Sequence, residues 1–112
     1  MKPLLPSLRE KKRYLVYEVV SKDNVSKLEV EKSIIGSCLQ FLGELNLGKA
    51  GVISVGEVYK NNKGVLKVAT RYVDEIKMSL GLIKEINGKK AIVNTIGVTS
   101  TLKKASTKYL GV

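Results

Sequence analysis

Apolar and polar positions alternate with a two-residue period over residues 13–20, RYLVYEVV, where Leu15, Tyr17 and Val19 interleave with Tyr14, Val16 and Glu18. An extended chain sends such sets to opposite faces, and β-branched and aromatic residues suit a half-buried pleat, so a first strand is predicted here. After the polar loop SKDNVS the period changes. Val30, Ile34, Ile35, Cys38, Leu39, Leu42 and Leu45 recur at steps of three and four, which places them on one stripe of a helix over residues 27–45. Ser26 stands where it can cap that helix, with Glu29 at the capping-box spacing.

The segment NLGKAG interrupts the pattern, and VISVGEVY resumes extended character through Tyr59. The polar run NNKG at 61–64 then separates two β-rich stretches, a hairpin signal that makes strands two and three antiparallel neighbours. Thr70 or Arg71 opens a second helix with Val73, Ile76, Leu80 and Ile83 as its buried stripe, ending near Glu85. Asn87-Gly88 makes a sharp turn into a fourth strand that runs to about Val98, and Ser100 or Thr101 can cap a short basic helix, TLKKASTKYL. The order β-α-β-β-α-β is the split βαβ arrangement of ferredoxin-like and RNA-recognition-motif folds, an α+β class, here with an additional C-terminal helix. Both helices should lie on one face of a four-stranded antiparallel sheet. Tyr14, Val16, Glu18, Val65 and Lys67 should lie on the other, a mixture too apolar for plain solvent surface, so the C-terminal helix or a partner is expected to cover part of it.

At 112 residues the chain is expected to form one domain: a basic lead-in over 1–12, the core over 13–98 and the C-terminal helix over 100–110. No apolar run approaches the roughly 18 residues of a membrane span, and the N-terminus lacks the apolar stretch of a secretory signal, so the chain reads as cytoplasmic, with no membrane partner. The single cysteine, Cys38, falls on the apolar stripe and reads as a packed small hydrophobe.

Charge changes the picture most. The net charge is +10, and its distribution is uneven. Residues 1–14 hold Lys2, Arg9, Lys11, Lys12 and Arg13 against Glu10, a net +4, and residues 100–112 hold Lys103, Lys104 and Lys108 with no acid, a net +3. The intervening 85 residues carry only +3, so the excess points to a polyanion met by the two ends. Histidine is absent, which removes the usual general base and histidine-dependent triads. The two aspartates, Asp23 and Asp74, sit in a loop and at a helix start, and without a carboxylate cluster a two-metal nuclease site is not expected. GVISVGE lacks the order of a phosphate-cradling loop, so no catalytic residue, metal site or bound cofactor is assigned.

Lys63-Gly64 matches the start of the RNA-recognition-motif signature, but Val65, Lys67 and Thr70 occupy its aromatic positions. RNA binding by this chain is therefore expected to rest on phosphate contacts and folded shape, with little base readout. Arg9 and Arg13 can each grip a phosphate through two parallel hydrogen bonds, whereas lysines act as point charges.

Three blocks, LPSLREKKRYLVYEV at 5–19, FLGELNLGKAGV at 41–52 and INGKKAIVNTIGVTSTLKKA at 86–105, in this order and spacing, resemble archaeal ribonuclease P protein component 2 over nearly the whole chain. The resemblance implies a protein subunit of the ribonuclease P ribonucleoprotein. Its RNA, using Mg²⁺, removes 5′ leaders from precursor tRNA, and its protein partner is component 3, a TIM-barrel subunit, in an arrangement compatible with a heterotetramer. By position, the RNA-binding residues expected are Arg9, Lys11, Lys12 and Arg13 at the start, Lys49 beside Gly48 in the middle block, and Lys103, Lys104 and Lys108 at the end. The alternative is a ferredoxin-like module that docks another protein without touching RNA.

Overall fold

A computed structural model of the chain describes residues 11–55 and 59–110. β1 (Lys12–Ser21) turns Leu15, Tyr17 and Val19 into the main core, as the alternation requires. α1 (Lys27–Ala50) begins at Ser26, whose backbone is extended and whose hydroxyl accepts the amide N–H of Glu29 at 3.2 Å, so the capping expected from sequence is present. Its buried stripe is Val30, Ile34 and Cys38.

α1 departs from expectation at its far end. The helical path breaks at Gly43 (φ 80, ψ 164), then continues to Ala50. The helix therefore ends five residues later than the apolar stripe implies, and Gly51 terminates it. Gly51 has φ 59 and donates its N–H to the Leu47 carbonyl at 3.2 Å, a left-handed cap that a Cβ would strain. The kink turns Leu45 away from the core, leaving it 72% exposed.

β2 (Ile53–Ser54) and β3 (Lys63–Ala69) flank the expected hairpin, whose tip is Asn61-Asn62 with φ of 55 and 63. Lys60 and Lys63 exchange two backbone hydrogen bonds of 2.9 Å across it, the closure of a two-residue loop with both tip residues left-handed. Residues 56–58 of the expected second strand lie outside the described residues. A 3₁₀ turn (Thr70–Tyr72) leads into α2 (Val73–Gly81). This second helix stops at Gly81 and not near Glu85, because Glu85 and Ile86 form β4, paired to Lys90 and Lys89 at the start of β5 (Lys89–Thr99). Asn87 (φ 51) and Gly88 (φ 79) make the tight turn between them. After β5, Thr101 caps α3 (Leu102–Ala105) by accepting the amide N–H of Lys104 at 3.2 Å, and the chain winds on through a π turn (Ser106–Leu110).

The strands form one antiparallel sheet in the order β2-β3-β1-β5-β4. Without the two-residue β4 this is the split βαβ order, with β1 and β3 central and the last long strand beside β1. The main core lies between the sheet and α1 and α2, around Tyr17, Leu66, Val68, Ile76 and Leu80. Gly64, opposite Tyr17 on β3, leaves no room for a Cβ under the Tyr17 ring, which explains a glycine inside a buried strand.

A second, smaller cluster occupies the opposite face. Val16 and Val65 meet Ala105 and Leu110, with Tyr14, Val55, Ile96, Leu102 and Tyr109 packed around them. The C-terminal helix is thus the cover expected for that face. A β-bulge assists it: Val16 pairs with Gly97 and Tyr17 with Thr95, so Ile96 is an extra residue that packs in the second cluster. Burial of Val16, Val65 and Leu110 favours this closure by about 1.5–3 kcal/mol each. The other half of the face stays open, with the cross-strand pair Val20 and Ile92 at 50% and 56% exposure. Among the described residues, no helix is long and apolar enough to cross a membrane.

Candidate nucleic-acid interface

The β1–β5 pairing decides where the charges go. Tyr14 of β1 lies opposite Thr99 of β5, so the entry to β1 stands beside the exit from β5, and residues nearly ninety positions apart become neighbours. Thr99 donates its hydroxyl to the Thr101 carbonyl at 2.8 Å, fixing the turn that swings α3 back across the sheet. A cleft of about 500 Å³ opens where these segments meet. Its cations are Arg13 from β1, Lys103 and Lys104 from α3, and Lys108 from the π turn. Hydroxyls of Thr99, Ser100 and Thr107 and the side of Val98 complete the lining, which contains no carboxylate.

Several contacts hold this lining in place. Lys104 Nζ donates to Ser100 Oγ at 3.5 Å, a long bond that leaves donors for a ligand. Lys104 and Lys108, four residues apart, project from the same side of the turn. The Lys108 ammonium sits 5.5 Å from the centre of the Tyr109 ring, and that ring lies against Gly97, where a Cβ would collide with it. The second hydrophobic cluster therefore sets the position of the cationic helix.

Half of the eight residues expected from sequence to touch RNA thus converge: Arg13, Lys103, Lys104 and Lys108. Lys11, Lys12 and Lys49 do not line the cleft. Lys11 is exposed, and its carbonyl ties β1 to the 3₁₀ turn by accepting the Thr70 N–H at 2.8 Å and the Thr70 hydroxyl at 3.0 Å. Lys12 reaches instead over the end of α1, its Nζ 2.7 Å from where a Cβ on Gly51 would stand. Lys49, exposed in the last turn of α1, complements the helix dipole at the same end. Arg9 lies outside the described residues. Sequence reasoning missed Thr99, Ser100 and Thr107; the signal was hydroxyls interleaved with lysines in TSTLKKASTK.

Several polar contacts away from the cleft hold the fold together. Lys89 donates to the Asn24 carbonyl at 2.9 Å and lies 3.9 Å from Glu29, pinning the β4–β5 hairpin to the start of α1. Ser54 donates to Glu31 at 3.1 Å, and Ser37 to the Ser79 carbonyl at 2.6 Å. Cys38 is fully buried, and desolvation raises its thiol pKa, the state of an inert thiol. Among the described residues, no group of three His, Cys, Asp or Glu side chains could hold a metal ion.

A model of the Rpp14/Pop5 family matches residues 13–110, a span that includes every cation of the cleft. The chain belongs to the Rpp14/Pop5 family. Membership makes it a protein subunit of ribonuclease P, an endoribonuclease complex. It is 36% identical over 110 residues to "Ribonuclease P protein component 2" of Methanosarcina mazei, covering 98% of this chain and 93% of that one. Identity to the component 2 of Pyrococcus furiosus is 36% over 109 residues, covering 97% of this chain and 91% of the other, and to that of Thermococcus gammatolerans 38% with the same coverage. These bear out the resemblance read from the three sequence blocks. In the cryo-EM structure of yeast ribonuclease MRP, one chain superposes with a TM-score of 0.66, covering 84% of this chain and 77% of its own length. At 10% identity that likeness concerns the fold of this Rpp14/Pop5 protein alone.

Proposed function

We propose that the chain binds the ribonuclease P RNA mainly through its phosphates and stabilises the conformation in which that RNA, with Mg²⁺, removes 5′ leaders from precursor tRNA. The observation that carries this reading is the convergence of Arg13, from the start of β1, with Lys103, Lys104 and Lys108, from the end of the chain, on one cleft whose lining holds no carboxylate. Cations held there offset phosphate repulsion where RNA segments pack closely. A subunit that binds the compact RNA more tightly than open forms shifts the equilibrium towards it by that difference in affinity. The reaction belongs to the RNA and its Mg²⁺, and this chain contributes no catalytic group and no metal ligand. Its place is in the cytoplasm, in contact with precursor tRNA only within the assembled particle.

A protein partner belongs to the same reading. Leu28, Leu39 and Leu45 along α1 and Leu82 after α2 are exposed, which favours a protein surface on the helix side, away from α3. Component 3, the TIM-barrel subunit, is the partner proposed for it, with a heterotetramer as one stoichiometry.

Reconstitution with and without the chain tests the function. Particles lacking it should need more Mg²⁺ and process precursor tRNA more slowly at limiting Mg²⁺; identical cleavage across the titration would refute the reading. The alternative, a module that docks protein and never meets RNA, draws support from the exposed leucines. It predicts RNA affinity insensitive to salt, whereas phosphate contacts give a steep linear fall of log affinity with log salt.

A further inference from the structure

We infer that the cleft between β1, the β5 exit and α3 is a discrete seat for two phosphodiester groups of RNA backbone, in contrast to a diffuse positive surface. The inference rests on the RNA-binding reading above and narrows it to four side chains and a stoichiometry.

Charge sets the number of phosphates. Arg13, Lys103, Lys104 and Lys108 bring four positive charges to one cleft with no carboxylate among its lining residues. One phosphodiester carries a single negative charge and would leave most of that repulsion standing. Two phosphates halve it, and the hydroxyls of Thr99, Ser100 and Thr107 supply neutral donors for the remaining oxygens. Volume allows it: about 500 Å³, against roughly 30 Å³ for each water of the bulk liquid, holds two phosphates together with bridging water.

The lining also decides what is read. It contains no aromatic ring and no Asn or Gln side chain, the groups that stack on bases or match their edges. The seat therefore recognises the position of two phosphates and not the sequence that carries them. Arg13 is the one group that can fork onto a phosphate with two parallel bonds, so it orients, while the lysines neutralise.

The opposite end of the same strands provides an internal control. Lys22, Lys84 and Lys90 are exposed around Val20 and Ile92, six residues along β1 from Tyr14, about 20 Å away at strand rise. Their setting differs, since Asp23 shares that lining and Glu85 lies directly across from Lys90.

The experiment measures binding of a short RNA stem-loop, and of a scrambled stem-loop of equal length, over a salt series. It compares the intact chain, the variant R13Q/K104Q/K108Q and the variant K22Q/K84Q/K90Q, which remove the same charge. Each phosphate neutralised contributes about 0.7–0.9 to the slope of log affinity against log salt, so loss of the seat lowers the slope by about 1.4–1.8. The control variant should keep the original slope, and the two RNAs should bind alike. Arg13→Lys should keep the slope but weaken binding several-fold. Equal falls in both triple variants would overturn the seat in favour of a diffuse field, and a fall of about 0.8 would overturn the two-phosphate stoichiometry. A flat slope for the intact chain would sink the RNA-binding reading itself, an outcome separable from the other two.

Discussion

Adding one methyl group at Gly97 probes the contact that seats the cationic helix. Gly97 lies opposite Val16 on β1, and a Cβ built there would collide with the hydroxyl end of the Tyr109 ring. Two responses compete. Overpacking absorbed by small shifts of ring and strand costs about 1–3 kcal/mol. Lifting α3 off the sheet would instead expose Val16, Val65 and Leu110, at about 1.5–3 kcal/mol each, which is the dearer route. Gly97→Ala should therefore destabilise by about 1–3 kcal/mol with α3 still docked, a fall in melting temperature of roughly 4–12 °C for a domain of this size. Urea and thermal melts give the stability, and amide exchange in 102–110 reports whether the helix stays down. Tyr109→Ala removes the obstructing ring, so in the double-mutant cycle the Gly97→Ala penalty should largely vanish on that background. Additive losses, or a Gly97→Ala variant as stable as the parent, would refute the claim that this ring and this backbone position define each other.

Other expectations follow from individual groups. Thr101→Ala removes the α3 cap and should cost about 1 kcal/mol, with exchange in 102–105 accelerating before the rest of the chain melts. Burial raises the Tyr17 hydroxyl well above its ordinary pKa of 10.0, with Tyr59 and Glu31 adding to the effect. The unfolded chain ionises this tyrosine from about pH 10 while the folded chain keeps the proton. Tyr17 therefore contributes no pH dependence below that point and up to about 1.4 kcal/mol of lost stability per pH unit above it; denaturant melts from pH 9 to 11.5 should show the decline, shallower in Tyr17→Phe. A thiol reagent should label Cys38 only as fast as the protein opens, and prompt labelling of the native chain would contradict its burial.

Features written in local chemistry were legible in the sequence. Ser26 and Thr101 cap helices because each can turn its hydroxyl to an amide three residues on. Asn61-Asn62 and Asn87-Gly88 turn the chain because those residues tolerate positive φ. What escaped was decided at a distance. The stripe from Val30 to Leu45 has unbroken helical spacing, yet the chain kinks at Gly43, and Leu45 then faces solvent. Glu85 and Ile86 extend the α2 pattern by spacing but pair with Lys90 and Lys89 once the Asn87-Gly88 turn brings those residues alongside. The candidate site was half legible. Excess cations at the two ends are a compositional fact, but that Arg13 joins Lys103, Lys104 and Lys108 while Lys12 and Lys49 gather at the end of α1 follows from strand pairing and register, which no local window contains.

The adjacency of β1 entry and β5 exit has a consequence for sequence drift. The field in the cleft depends on how many cations arrive there and not on which strand delivers them. A lysine lost from the turn after β5 can be replaced by one gained at another position that lines the cleft, such as Thr99 or Thr107, with no change in the scaffold. Conversely, an acid acquired at the β1 entry or the β5 exit would weaken the whole patch, so the two segments share one electrostatic fate although the polypeptide keeps them far apart.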